Sequence, residues 1–128
     1  MKLLLDTHSF IWFIEGNTRL SPRLRLLIAD EANQVFLSTA TLWEMAIKVS
    51  LGKLTLRQPF DILIPAQLHV NDITLLDITV EHTLTVAKLP LHHRDPFDRL
   101  LIAQALVEGL PIISVDNVLD QYGVIRTW

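Results

Sequence analysis

The chain has 128 residues, half of them hydrophobic and 20% charged, and no cysteine; disulfides, zinc–thiolate sites and thiol nucleophiles are excluded, leaving histidine and carboxylate as metal ligands. This length predicts one domain, residues 1–128, with room for a substantial core, and the apolar excess leaves surface for a partner to cover. A net charge of −3 and a pI near 5.9 argue against nucleic-acid binding through a general basic surface, but not against a metal-dependent nuclease, whose acids supply the negative count.

In chain order, Leu3-Leu4-Leu5-Asp6 reads as a short strand covered on both faces and closed by an acid. Asp6 interrupts the apolar start too early for a signal peptide, and no later stretch is long enough to cross a bilayer, so a cytoplasmic protein is expected. Thr7 to Glu15 is a helix stopped by Gly16-Asn17; Ser21-Pro22 caps and opens a second, running to about Ala32. Val35 to Ser38 is the second strand, followed by a helix from about Ala40 to Leu51 that Gly52 closes. After a link at 53–58, Pro59-Phe60-Asp61 opens a helix that Pro65 is expected to kink or shorten. Ile73 to Ile78 reads as a strand, Val80 to Lys88 as a helix, and Asp95 to Glu108 as the most strongly periodic helix, stopped by Gly109. The strand Pro111 to Val115, a helical turn at Asn117 to Gln121 and a strand at Val124-Ile125 complete the chain. Alternation of this kind predicts an α/β protein, a three-layer α/β/α sandwich around a parallel sheet of four or five strands.

The acids carry the chemistry. Asp6 and Asp116 each close an apolar strand, and in a parallel sheet all carboxyl ends face one edge, where ligands bind. Each also has a plain role as a helix cap. Asp95 and Asp98, in Arg94-Asp95-Pro96-Phe97-Asp98-Arg99, fit a helix start, and Asp98, at the mouth of a helix whose next residues look buried, can face the same edge. Glu44 shares a polar stripe with Thr41 and Lys48; its simplest reading is a solvent-exposed ion pair, and only the apolar neighbours Leu42, Met45, Ala46 and Val49 hint at a cleft. Converging carboxylates repel and need a cation, and hard ions such as Mg²⁺ or Mn²⁺ suit them. The five histidines show no ligand spacing and read as surface or core residues. Lys48, Arg94 and Arg99 lie near the expected edge, where they are available to hold phosphates or are simply solvated.

This pattern resembles the PIN-domain ribonucleases, specifically the VapC-like toxins of bacterial toxin–antitoxin pairs, over nearly the whole chain. The residues that carry the resemblance are Leu3-Leu4-Leu5-Asp6-Thr7-His8, the glutamate of Ser38-Thr39-Ala40-Thr41-Leu42-Trp43-Glu44, the Asp-Pro-Phe-Asp-Arg helix start running into Leu100-Leu101-Ile102-Ala103-Gln104-Ala105, and Ser114-Val115-Asp116. The resemblance implies a catalytic and metal-binding quartet at Asp6, Glu44, Asp98 and Asp116, with Asp95 as the alternative third acid and Ser114 and Thr7 in support. It further implies Mg²⁺- or Mn²⁺-dependent cleavage of RNA to a 5′-phosphate and a 3′-hydroxyl, a homodimer, and inhibition by a cognate antitoxin. The competing expectation is a non-catalytic α/β module that docks a protein, with Phe10, Trp12 and Trp43 as its anchors.

Overall fold

The computed structural model describes all 128 residues, and its organising element is the first strand. β1 (Lys2–Leu5) lies at the centre of a five-stranded, wholly parallel sheet of order β3-β2-β1-β4-β5. Leu5 faces Leu37 of β2 (Gln34–Ser38) on one side and Ile113 of β4 (Ile112–Ile113) on the other. β3 (Thr74–Leu76) and β5 (Arg126–Thr127) form the edges. Pleating sends Leu3 and Leu5 to one face and Leu4 to the other. Leu3 and Leu5 pack with Phe10 and Ile14 of α1 (Thr7–Glu15), Leu24 and Ile28 of α2 (Pro22–Ala29), Met45 of α3 (Thr39–Ser50) and Leu63 and Ile64 of α4 (Phe60–Val70). Leu4 packs with Leu101, Ile102 and Ala105 of α6 (Pro96–Glu108), which lies against α5 (Val80–Lys88), and with Leu119 and Tyr122 of a 3-10 helix, Asn117–Tyr122. The expected three-layer α/β/α sandwich is therefore present.

Five boundaries differ from the sequence reading: β4 is Ile112–Ile113 rather than Pro111 to Val115, matching the two-residue partner β5, and the other four each have a local reason. α2 ends at Ala29 rather than Ala32, because the Asp30 side chain accepts the Ala32 N–H at 2.9 Å and turns the chain. α4 runs through Pro65 to Val70: Pro65 faces solvent, while Leu63 and Ile64 on the inner side are held in the core, so packing overrides the helix breaker. β3 is three residues, not six, since its partner β2 gives way to α3 after Ser38. The terminal strand is Arg126–Thr127 rather than Val124-Ile125, because parallel pairing with Ile112 and Ile113 fixes the register.

The order places the sheet's reversal point between β1 and β4: from β1 the chain winds outward to β2 and β3, then returns to β4 on the other side. Connections leave in opposite directions there and open a crevice beyond the carboxyl ends of those two strands.

Candidate active site

Asp6 is the first residue past β1, bridging strand and helix. Its N–H donates to the Ile113 carbonyl at 3.2 Å, and its carboxylate caps α1 by accepting the Ser9 N–H at 2.9 Å. Across the crevice, Ser114 is fully buried, and its Oγ accepts the Asp116 N–H at 3.1 Å. Asp116 caps the 3-10 helix through Oδ1, which accepts the Val118 N–H at 3.0 Å. The third acid comes from α6. Asp95 is the exposed cap of that helix, with Oδ1 accepting the N–H groups of Phe97 and Asp98 at 2.8 and 3.2 Å, while Asp98 reaches the crevice. Asp6, Asp98, Asp116, Ser114 and His8 thus line one cavity of about 230 Å³, floored by Leu101, Ile112 and Leu119.

Glu44 is not among the residues lining this cavity, though its charge is felt at Asp98, and it differs most from its simplest reading. It pairs with Lys48 at 2.7 Å as i,i+4 spacing predicts, but the glutamate is 5% exposed, and its other oxygen accepts the Thr7 hydroxyl at 2.7 Å. Thr7 in turn contacts the buried Thr41 hydroxyl at 3.2 Å. Thr7, the residue following Asp6, therefore ties α1 to α3.

The electrostatics agree with a crowded acidic site. Burial, aided by the negative charges of Asp95, Glu44 and Asp6 and opposed by His93, raises the Asp98 carboxyl from its ordinary 3.8 to about 6. As they stand, the side chains form no closed group of three metal ligands. The donor set nonetheless fits a hard divalent cation: every acid offers carboxylate oxygen, and the ionised form of Asp98 is disfavoured first by burial and then by the negative charges of its neighbours, a cost that a bound cation would offset.

Of the cations expected near phosphate, Lys48 is spent on Glu44, and Arg94 is exposed. Arg99 is a correction: its guanidinium donates to the carbonyls of Val86, Leu89 and Pro90 at 3.1, 3.3 and 2.9 Å, so it closes the end of α5 instead of awaiting a phosphate. Replacing it with alanine should cost about 1–3 kcal/mol of stability in urea unfolding, since three carbonyls lose charged donors. Lysine, lacking the planar fork, should recover only a minority of that loss.

Two histidines at the site escaped the sequence reading: His8, which lines the cavity, and His93. His93 lies with Nε2 2.6 Å from Asp116 Oδ2. Adjacent histidines without ligand spacing carry no signal; only the fold of the α5–α6 loop brings this ring to the acid. Two proposed docking anchors are likewise accounted for otherwise, since Phe10 is fully buried and Trp12 packs against the core and Trp128. Trp43 remains exposed, edge-on to Phe97.

The solved structures similar to this one include a chain of the VapBC2 complex of Rickettsia felis, bound to a DNA fragment from its promoter. It has a TM-score of 0.75 and 15% identity, with 99% of this chain and 98% of that chain covered. A chain of VapBC-1 from nontypeable Haemophilus influenzae gives 0.68 at 18% identity, with 99% and 97% covered. One from DNA-bound VapBC of Salmonella typhimurium gives 0.66 at 18%, with 98% and 96% covered. No curated protein sequence matches the chain significantly. The PIN domain model matches residues 3–125, a span that includes all four acids, and the chain belongs to the PIN-domain family.

Proposed function

We propose that this chain is a divalent-metal-dependent endoribonuclease acting as the toxin of a toxin–antitoxin pair. PIN domains are generally nucleases that hydrolyse phosphodiester bonds. The observation that carries the reading here is the convergence of Asp6, Asp98 and Asp116, from three separate elements, on one cavity at the sheet's reversal point. Asp6 and Asp98 would hold the principal Mg²⁺ or Mn²⁺ ion. Asp116 and Glu44 would bind a second ion or orient the attacking water, with Ser114 fixing the backbone at Asp116 and Thr7 fixing Glu44. Once bound, the cation supplies positive charge that eases ionisation of that water and stabilises the phosphate in the transition state. Cleavage leaves a 5′-phosphate and a 3′-hydroxyl. The VapBC assembly of the similar structures supports a cognate antitoxin as partner. We assign residues 1–128 to a single domain that works as a cytoplasmic homodimer; no helix is long and apolar enough to cross a membrane.

Incubation with total RNA, DNA and a phosphomonoester, with Mn²⁺ or with EDTA, tests the reaction. RNA alone should be cut, and EDTA should stop it; cleavage surviving EDTA sinks the proposal. Mn²⁺ at about 100 times its Kd should stabilise the native state by about 2.7 kcal/mol, raising Tm by roughly 10 °C. Expression should arrest growth, and co-expression of the antitoxin should relieve it.

A further inference from the structure

The α5–α6 loop holds His93 in a network that the acidic quartet does not require. Its Nδ1 lies 3.0 Å from the Tyr122 hydroxyl, which accepts the His92 backbone N–H at 3.0 Å, and its Nε2 lies 2.6 Å from Asp116 Oδ2. The atoms' chemistry gives this chain a direction. A backbone N–H only donates and an ionised carboxylate only accepts, so Nε2 carries a proton toward Asp116 and the hydroxyl proton is free to point at Nδ1. The anchor is rigid: Tyr122 is 9% exposed and packs with Leu4 and Leu101 in the core. Asp116 is otherwise held through Ser114, Val118 and Leu119, all on its own strand-to-helix turn. His93 is the link from that turn to the loop leading into α6, the helix that carries Asp98.

We propose that His93 is a positioning residue: its Nε2–H fixes the Asp116 carboxylate at the cavity, Tyr122 sets its tautomer, and the fourth acid is thereby held in register with Asp98. This rests on the reading of the cavity as a metal-dependent nuclease site. In metal centres a carboxylate commonly orients a ligating histidine from behind; here the histidine stands behind the carboxylate.

The test compares wild type, His93→Ala, His93→Gln, Asp116→Ala and the His93→Ala/Asp116→Ala double variant, by Mn²⁺ affinity in titration calorimetry and initial rate on total RNA. Asp116→Ala identifies which of the two quantities reports on Asp116. In that quantity His93→Ala should lose about 10–100-fold. His93→Gln, whose amide N–H reaches about as far as Nε2, should recover most of it, and His93→Ala should add nothing once Asp116 is alanine. In the metal-free protein, ¹⁵N imidazole spectra should show the Nε2–H tautomer, with its population reduced in Tyr122→Phe. A wild-type-like His93→Ala, or the same loss in both backgrounds, overturns the positioning role while leaving the nuclease reading intact. If Asp116→Ala moves neither quantity, Asp116 is outside the site and the proposal falls with that assignment.

Discussion

Asp98→Asn is expected to reduce RNA cleavage by at least about 10³-fold, the several kcal/mol that a metal site contributes to the transition state, and yet to make the metal-free protein more stable at pH 7.5. The stabilisation follows from the raised carboxyl. The folded protein holds the Asp98 proton up to about pH 6, whereas the unfolded chain releases it near 3.8. Between those values the native state binds more protons than the unfolded one, so stability falls as pH rises, and above about 6 the penalty is constant. Taken at face value the gap is about 3 kcal/mol at 1.36 kcal/mol per pH unit. Asp98 is only half-buried, and solvent screening brings this to about 1–2 kcal/mol. The dipole of α6, which favours an acid in its first turn by about 0.3–1 kcal/mol, offsets part of it. The net gain for asparagine is therefore about 1 kcal/mol, roughly 3–5 °C in Tm, at pH 7.5, and close to zero at pH 4. Urea unfolding of both proteins at the two pH values measures it directly. Equal stability at pH 7.5 would mean that burial and neighbouring charge do not penalise the ionised Asp98 of the metal-free site. Adding Mn²⁺ should reverse the order, since only wild type retains a complete set of acids.

The strand ends were legible because their signal is local. An apolar run followed by an acid names both the strand and the residue at its mouth, and parallel topology then brings Asp6 and Asp116 to one edge without further information. The helix start at Asp95-Pro96-Phe97-Asp98 was equally plain, and the two acids divide the work that the sequence left open, Asp95 capping and Asp98 facing the cavity. Glu44 was harder. Its spacing to Lys48 is the same whether the helix face meets water or protein, and only its burial against Thr7 of α1, whose hydroxyl it accepts, shows that the glutamate is inside. Arg99 and His93 were illegible for a related reason. Their partners are backbone carbonyls of α5 and its exit in one case and an acid 23 residues away in the other, and neither relation has a periodicity. Sequence pattern reports elements and their ends; it does not report where a loop without repeats lays its side chains.

Asp6 separates catalysis from folding, because the same carboxylate serves both. As the cap of α1 it accepts the Ser9 N–H, a role that asparagine fills about as well and alanine does not. As a ligand it contributes a negative charge that asparagine lacks. Asp6→Asn should therefore keep the fold at wild-type stability or slightly above it, since the site loses one repelling charge. Its cleavage should fall by at least about 10³-fold, and the Mn²⁺-induced rise in Tm should disappear. Asp6→Ala should lose cleavage to the same extent and in addition about 1 kcal/mol of stability, the typical cost of an N-cap. Thermal unfolding of the three proteins with and without Mn²⁺ gives both quantities at once. The decisive comparison is within the pair of variants: their activities should coincide while their stabilities differ. Wild-type cleavage by Asp6→Asn, or an undiminished Mn²⁺ shift, would leave the acid as a helix cap alone.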